Sequence, residues 1–158
     1  MALALSPGAR GPEILLIRRA RREGDPWSGH IGLPGGRREA VDADLLATAV
    51  RETREEVGVH LSGAALLGEL DDLRPSAPGP EPLLIRPFVF GLEERPAARL
   101  SDEVAGLLWA GLGELPSLSR RARVSMPAGE REVDAFVLGD ATIWGLTYRI
   151  LSSILPLL

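Results

Sequence analysis

Three carboxylates stand together in the run Arg51-Glu52-Thr53-Arg54-Glu55-Glu56-Val57-Gly58-Val59. The flanking residues read as the ends of a helix. Pro34-Gly35-Gly36 breaks the chain ahead of it, Asp42 or Asp44 is placed to cap it, and Gly58 is placed to end it. With Glu52 at zero on a wheel of about 100° per residue, Glu55 falls near about −60° and Glu56 near about +40°. The three acids therefore share an arc of about 100°. Leu46, Ala49, Val50, Thr53 and Val57 fall on a different stripe, the one expected to face a core. Arg51 lies one turn before Glu55, within reach of an ion pair.

Crowded carboxylates repel one another unless something positive offsets them. Hard divalent cations prefer oxygen ligands, so a metal ion is the chemistry this arc suits. The plain alternative is a solvated face whose acids pair with bases. Gly35 and Gly36 weigh against it, because glycines let a backbone approach the same place closely.

The segment resembles the Nudix box: a glycine, an acidic residue, then Arg-Glu-apolar-x-Glu-Glu-x-Gly-apolar. Arg51, Glu52, Glu55, Glu56, Gly58 and Val59 fill its second half in register, with Thr53 in an apolar slot. The spacing from Gly36 to Arg51 is longer than the usual box by about one residue, and Asp42 or Asp44 takes the acidic slot. The longer form, Pro-Gly-Gly, then Asp, then Thr48-Ala49-x-Arg51-Glu52, is similar to the coenzyme A diphosphatase branch of that family. Leu15-Leu16-x-Arg18-Arg19, Gly68-x-Leu70-Asp71-Asp72-Leu73, Pro87-Phe88-Val89 and Ile143-Trp144-Gly145-x-Thr147 resemble the same branch in order. Gly29-His30 departs from it, standing where a Gly-Gln pair is usual.

The resemblance implies an α/β protein, a Nudix-type α/β/α sandwich around a mixed sheet, as one domain over residues 1–158. Alternating strands and two helices are compatible with that architecture. It also implies Mg²⁺ or Mn²⁺ held by Glu52, Glu55, Glu56 and the carbonyl of Gly36. Arg51 would orient Glu55 or Glu56. One glutamate, in the box or at Glu103, would be the general base, which makes Arg51, Glu52, Glu55 and Glu103 the candidate catalytic residues. The implied reaction is attack of water on a diphosphate linkage. Coenzyme A or a related compound is the first expectation for the substrate. A dinucleotide, ADP-ribose or a nucleotide sugar is the second. A binding domain without catalysis is a third reading, disfavoured because all three box glutamates are present.

Recognition of phosphates needs cations beyond the metal. Arg18, Arg19, Arg21 and Arg22 form a basic cluster ahead of the box; it is either a solvated strand end or a cradle for phosphates, which arginine grips bidentately. Arg18, Arg19 and Arg22 are accordingly expected to bind substrate. His30 is expected to contact substrate or carry a proton, although a lone loop histidine is more often a hydrogen-bonding surface residue. Trp27 reads as a packing residue rather than a base-stacking platform.

Composition sets the frame. The chain has 158 residues, 45% of them hydrophobic, enough to bury a core. A net charge of −4 argues against general affinity for nucleic acid. The absence of cysteine excludes disulfides and thiol chemistry. No apolar run approaches a membrane span and MALALSPG is no signal peptide, so a cytoplasmic protein acting on a small-molecule nucleotide, without a membrane partner, is expected. A homodimer is open to it.

The remaining elements follow from pattern. Leu3 to Leu5 reads as an edge strand, Pro7 to Pro12 as a turn, and Glu13 to Arg19 as a buried strand. Gly24 to Gly32 and Arg74 to Pro82 read as loops, and Glu93 to Pro96 as a turn. A strand and its exit are expected over Leu66–Leu73, and strands over Leu83–Phe90 and Leu107–Trp109. Ser117 to Ser125 reads as a basic loop. Arg131–Leu138 is expected to pair with Val124–Met126 across Pro127–Glu130, with a terminal helix starting at Ile143.

Overall fold

The structure is a computed structural model that describes residues 1–25, 27–75, 83–126 and 129–157. Two neighbouring strands carry the architecture. β1 (Ala2–Gly8) and β2 (Gly11–Arg19) form an antiparallel hairpin with Leu5 opposite Ile14 and Gly8 opposite Gly11. Both are apolar on both faces, so each must be covered on both sides. Leu3, Leu5, Ile14 and Leu16 point into one core, and Ala2, Ala4, Leu15 and Ile17 into another.

β5 (Phe88–Gly91) lies parallel to β1, and β4 (Ala65–Glu69) completes that edge antiparallel to β5. On the other side β2 pairs with β3 (Ile31–Gly32) and with β6 (Val104–Gly111), both antiparallel. The sheet is therefore mixed. α1 (Leu45–Val57) covers one face, placing Ala49 and Val57 against Phe88 and Phe90. The other face is covered by α2 (Gly145–Ile154) and by a second sheet of β7 (Ser119–Met126), β8 (Gly129–Leu138) and β9 (Ala141–Trp144). No helix among the described residues is long and apolar enough to cross a membrane.

α1 forms where its end signals put it. Asp44, not Asp42, is the N-cap, accepting from Ala47 N at 2.8 Å. Gly58 closes the helix at φ 70° with its N–H on the Arg54 carbonyl. Thr53 is fully buried, and its hydroxyl donates to the Ala49 carbonyl at 2.7 Å. That local bond is why a threonine is tolerated in an apolar slot.

Several expectations are corrected. Leu3–Leu5 is no edge: β1 lies between β2 and β5. Pro7 and Pro12 belong to strands, so the turn shrinks to Ala9-Arg10. The stretch 83–90 is strand only from Phe88, with Ile85 bridging Leu73. The basic stretch after a 3₁₀ turn (Leu112–Leu118) is strand β7, not loop. Two of its three arginines face opposite charges across β8, Arg121 opposite Asp134 and Arg123 opposite Glu132. Ile143 and Trp144 end β9, and the terminal helix starts at Gly145. Most of the expected loop 74–82 and the Pro127-Ala128 part of the expected turn lie outside the described residues.

Candidate functional site

The glycine loop between β3 and α1 rests on two carboxylates. Gly35 N donates to Glu56 Oε2 at 2.9 Å. A Cβ on Gly36 would overlap the carboxylate of Glu52, so only glycine lets the backbone come this close. Pro34 is tied to β1 through Ala2 N at 2.9 Å, which holds the loop on the sheet.

Glu56 is 5% exposed. Burial pushes its pKa up to about 7; the Gly35 N–H opposes the rise, and the charges of Glu52 and Glu103 add to it. Burial also raises Glu52; Arg51 opposes this, and Glu55 and Glu103 reinforce it. Glu103 thus shares the field of both acids although it is remote in sequence. Two backbone bonds put it there: Ser101 N to the Glu56 carbonyl at 2.9 Å, and Ala20 N to the Glu103 carbonyl at 2.8 Å.

Arg51 is the hub beside these acids. It grips Asp42 with Nε and Nη2, each at 2.9 Å, and reaches Glu55 Oε2 with Nη1 at 2.8 Å. Glu52 Oε1 lies 3.0 Å away, and Nη2 also donates to the Arg37 carbonyl at 3.1 Å. Glu55 is turned outward onto Arg51, with its side chain 58% exposed. Among the described residues no three His, Asp or Glu side chains form a ready cation cage. The donor set nevertheless fits a hard cation: Glu52 and Glu56 are both penalised as buried anions and sit against the Gly35-Gly36 backbone. Positive charge there offsets that penalty, and every donor is oxygen. Glu55 would have to leave Arg51 to join them.

A cleft of about 490 Å³ opens beside the glycine loop. Gly35, Gly36, Arg37 and Arg19 line one part, and Trp27, His30 and Trp144 another. Arg86 lies at its edge, gripped by Asp72 at 2.7 and 2.9 Å. The first residues of α2, Gly145 to Thr147, also face it, and Trp144 gives that helix end no side-chain cap. His30 is edge-on to both Trp27 and Trp144, with ring centroids at 5.8 and 4.9 Å. Burial lowers its pKa, which favours the neutral ring, against the opposing charge of Asp25.

The basic cluster is split three ways. Arg19 lines the cleft and pairs with Asp25 at 3.0 Å. Arg22 pairs with Glu103 at 3.1 Å, at the edge of the carboxylate group. Arg18 pairs with Asp140 at 2.9 Å and lines a separate smaller groove, so the expected single cradle does not form. Asp42, Arg37, Arg86 and Trp144 are also near the site: the motifs carry Asp42 in the box and Trp144 in Ile143-Trp144-Gly145, Arg37 follows Gly36 directly, and Arg86 carries no local signal. Trp27 is 46% exposed, against the packing role expected of it.

The family model for the NUDIX domain matches residues 2–129. An uncharacterized protein of Schizosaccharomyces pombe is 44% identical over 109 residues, covering 66% of this chain. The chain spans only 33% of that relative's own length. The uncharacterized Nudix hydrolase NudL of Yersinia pestis is 33% identical over 144 residues, covering 89% of this chain and 69% of that one. Among solved structures, a C. elegans Ap4A hydrolase binary complex superimposes with a TM-score of 0.60 at 21% identity, covering 72% of this chain and 78% of that one. The Arg51-to-Val59 signature, the mixed sheet between helices and these matches agree, and the chain belongs to the NUDIX domain family.

Proposed function

We propose that the chain hydrolyses a diphosphate linkage in a nucleoside diphosphate derivative, with coenzyme A or a related compound as the substrate class. The observation that carries this reading is the pair of desolvated carboxylates, buried Glu56 and half-buried Glu52, set against the Gly35-Gly36 backbone that lines the cleft. Nudix hydrolases generally need divalent metal ions; bound here, Mg²⁺ or Mn²⁺ would neutralise diphosphate oxygens and acidify a water.

The chain's own groups divide the remaining work. Glu52, Glu56 and the Gly36 carbonyl would hold the cation, and Glu55 would join them on turning from Arg51. Arg51, anchored on Asp42, keeps Glu52 and Glu55 in place, the supporting task that determines whether ligands point correctly. Glu103 stands at the edge of the carboxylate group, held by Arg22, and takes the proton of the attacking water. Arg19, Arg37 and His30 line the space for the substrate.

The coenzyme A reading is supported by the lengthened box and by the ordered motifs from Leu15 to Thr147. A second reading, a dinucleotide such as Ap4A, is supported by the fold neighbour that is an Ap4A hydrolase. The test is a parallel turnover screen of coenzyme A, ADP-ribose, dinucleotides and oxidised nucleotides with Mg²⁺ or Mn²⁺. Metal-dependent cleavage of coenzyme A above the others is expected. Preference for a dinucleotide replaces the first reading with the second, and no metal-dependent cleavage of any diphosphate overturns both.

A further inference from the structure

We propose that Trp27, His30 and Trp144 form the seat of a flat aromatic ring, the nucleobase end of the substrate. The inference deepens the reading of a nucleoside diphosphate hydrolase and rests on it for the identity of the ligand.

Three aromatic rings meet at one wall of the cleft, though the chain is poor in them, with an aromatic fraction of 4%. His30 wedges edge-on between the indoles, at interplanar angles of 72° to Trp27 and 65° to Trp144. The indoles are 6.5 Å apart at 43°. These are the tilted and edge-to-face arrangements in which aromatic groups attract. The cluster is nonetheless incomplete, because Trp27 is 46% exposed. A large π-surface left open in a cleft gains most from another flat ring, and base-on-aromatic stacking is tolerant of which base is offered.

The wall is built before any ligand arrives. Trp27 N donates to Asp25 Oδ1 at 3.0 Å, and the other oxygen of Asp25 accepts from Arg19 at 3.0 Å. His30 N donates to the Trp27 carbonyl, and its own carbonyl accepts from Arg19 N at 3.0 Å. Ser28 closes the loop on Arg22 from both sides of its hydroxyl. Trp144 is fixed from the opposite direction, as the last residue of β9 opposite Ala135. A rigid aromatic wall loses little freedom on binding.

Its chemistry favours a base over an alkyl chain. In the neutral form that burial favours, the His30 ring carries one donor and one acceptor, the complement of a nucleobase edge. Arg19 and the Gly35-Gly36 backbone line the same cleft, so a base at this wall can extend its phosphates along them.

The test measures binding without turnover. With chelator present, the protein is titrated with adenosine 5′-monophosphate, ribose 5-phosphate and octyl phosphate, following tryptophan fluorescence and heat. Adenosine 5′-monophosphate should bind about 5- to 150-fold more tightly than ribose 5-phosphate, the range of one stacked base. Trp27→Leu should erase that ratio while leaving ribose 5-phosphate unchanged, and Trp27→Phe should restore most of it. Trp27 is on the surface, and an unchanged melting temperature shows that each variant is folded. Equal binding of the two phosphates, octyl phosphate matching the nucleotide, or an undiminished ratio in Trp27→Leu overturns the inference. Base-dependent binding in a protein that cleaves no diphosphate would sink the hydrolase reading alone. Cleavage of nucleoside diphosphates that is indifferent to Trp27 would sink this one alone.

Discussion

Arg51 is bound most tightly to Asp42, not to a glutamate of the box: two 2.9 Å bonds run from Nε and Nη2 to the two carboxylate oxygens. Asp42 is 3% exposed and also accepts from Glu39 N at 2.9 Å and from Thr48 Oγ1 at 3.0 Å. Chiefly through Arg51, these bonds hold its carboxyl well below the usual carboxylate range. A depressed folded pKa contributes stability that is present above the unfolded value, about 3.9, and lost as pH falls through the folded one. Asp42→Asn should lower the melting temperature at pH 7 by on the order of 5–10 °C, since one partner of a largely buried pair is removed. It should also flatten the acid limb of melting temperature against pH below about 4. Calorimetry at pH 7, 5 and 3 decides it; parallel curves for the two proteins would exclude Asp42 as an acid-sensitive contact.

Glu56 has the opposite sign. Its carboxyl is raised from about 4.3 in an unfolded chain to about 7 in the fold, mainly by burial. The folded protein therefore binds that proton more tightly, and the contribution is lost as pH rises through about 7. At pH 8 without metal, the ionised group is a cost. Glu56→Gln keeps an acceptor for Gly35 N and removes the charge. The metal-free melting temperature at pH 8 should rise by roughly 4–8 °C, corresponding to about 2 kcal/mol. Turnover should fall by orders of magnitude. A variant with wild-type activity and metal affinity would remove Glu56 from the ligand set.

Glu55 differs from its neighbours. Crowding on the helical wheel suggests that removing any of the three charges relieves repulsion, but Glu55 already lies 2.8 Å from Arg51 and is mostly exposed. Such a pair, one turn apart, is worth about 0.3–0.5 kcal/mol. Glu55→Gln should thus change the metal-free melting temperature by less than about 2 °C, slightly downward. Its effect should appear on adding Mg²⁺, as a smaller upward shift than in wild type. An undiminished shift would show that Glu55 does not join the cation.

The contrast marks what the sequence could carry. Helical period and two end signals place Glu52, Glu55 and Glu56 on α1, because those depend on neighbours within a few residues. β2 is legible as a buried strand, whereas β1 reads as an edge, because its central place is decided by β5 from far along the chain. Asp42 looked like a cap because its distance from the helix start suited one; which aspartate caps is settled by the turn through Glu39 and by Arg51's reach. The arginines after Leu16 looked like one cluster, yet alternation along β2 and the bend beyond it send them to Asp140, Asp25 and Glu103. Pairing across the fold has no local signature, as the ion pair of Arg86 with Asp72 shows.

That division of the arginines decides where a substrate phosphate should be read. Three arginines line the cleft: Arg19, Arg37 and Arg86. Arg19 is matched by Asp25, and Arg86 by Asp72 with Glu69 at 3.8 Å. A guanidinium already paired gains less from a phosphate, because an existing partner must be displaced or shared. Arg37 makes no ion pair among the described residues, follows the glycine loop directly, and has its carbonyl fixed by Arg51 at 3.1 Å. A charge-assisted contact to phosphate is worth about 1.5–3 kcal/mol, so Arg37→Ala should raise KM by roughly 10- to 150-fold with little effect on melting temperature. Arg18→Ala should leave KM unchanged, because Arg18 lines a different groove. Comparing coenzyme A with its 3′-dephospho form in both variants adds the finer point: if Arg37 reads the 3′-phosphate, the KM penalty is confined to coenzyme A; if it reads the diphosphate, both substrates share it. A KM raised by Arg18→Ala and untouched by Arg37→Ala would return phosphate recognition to the strand end.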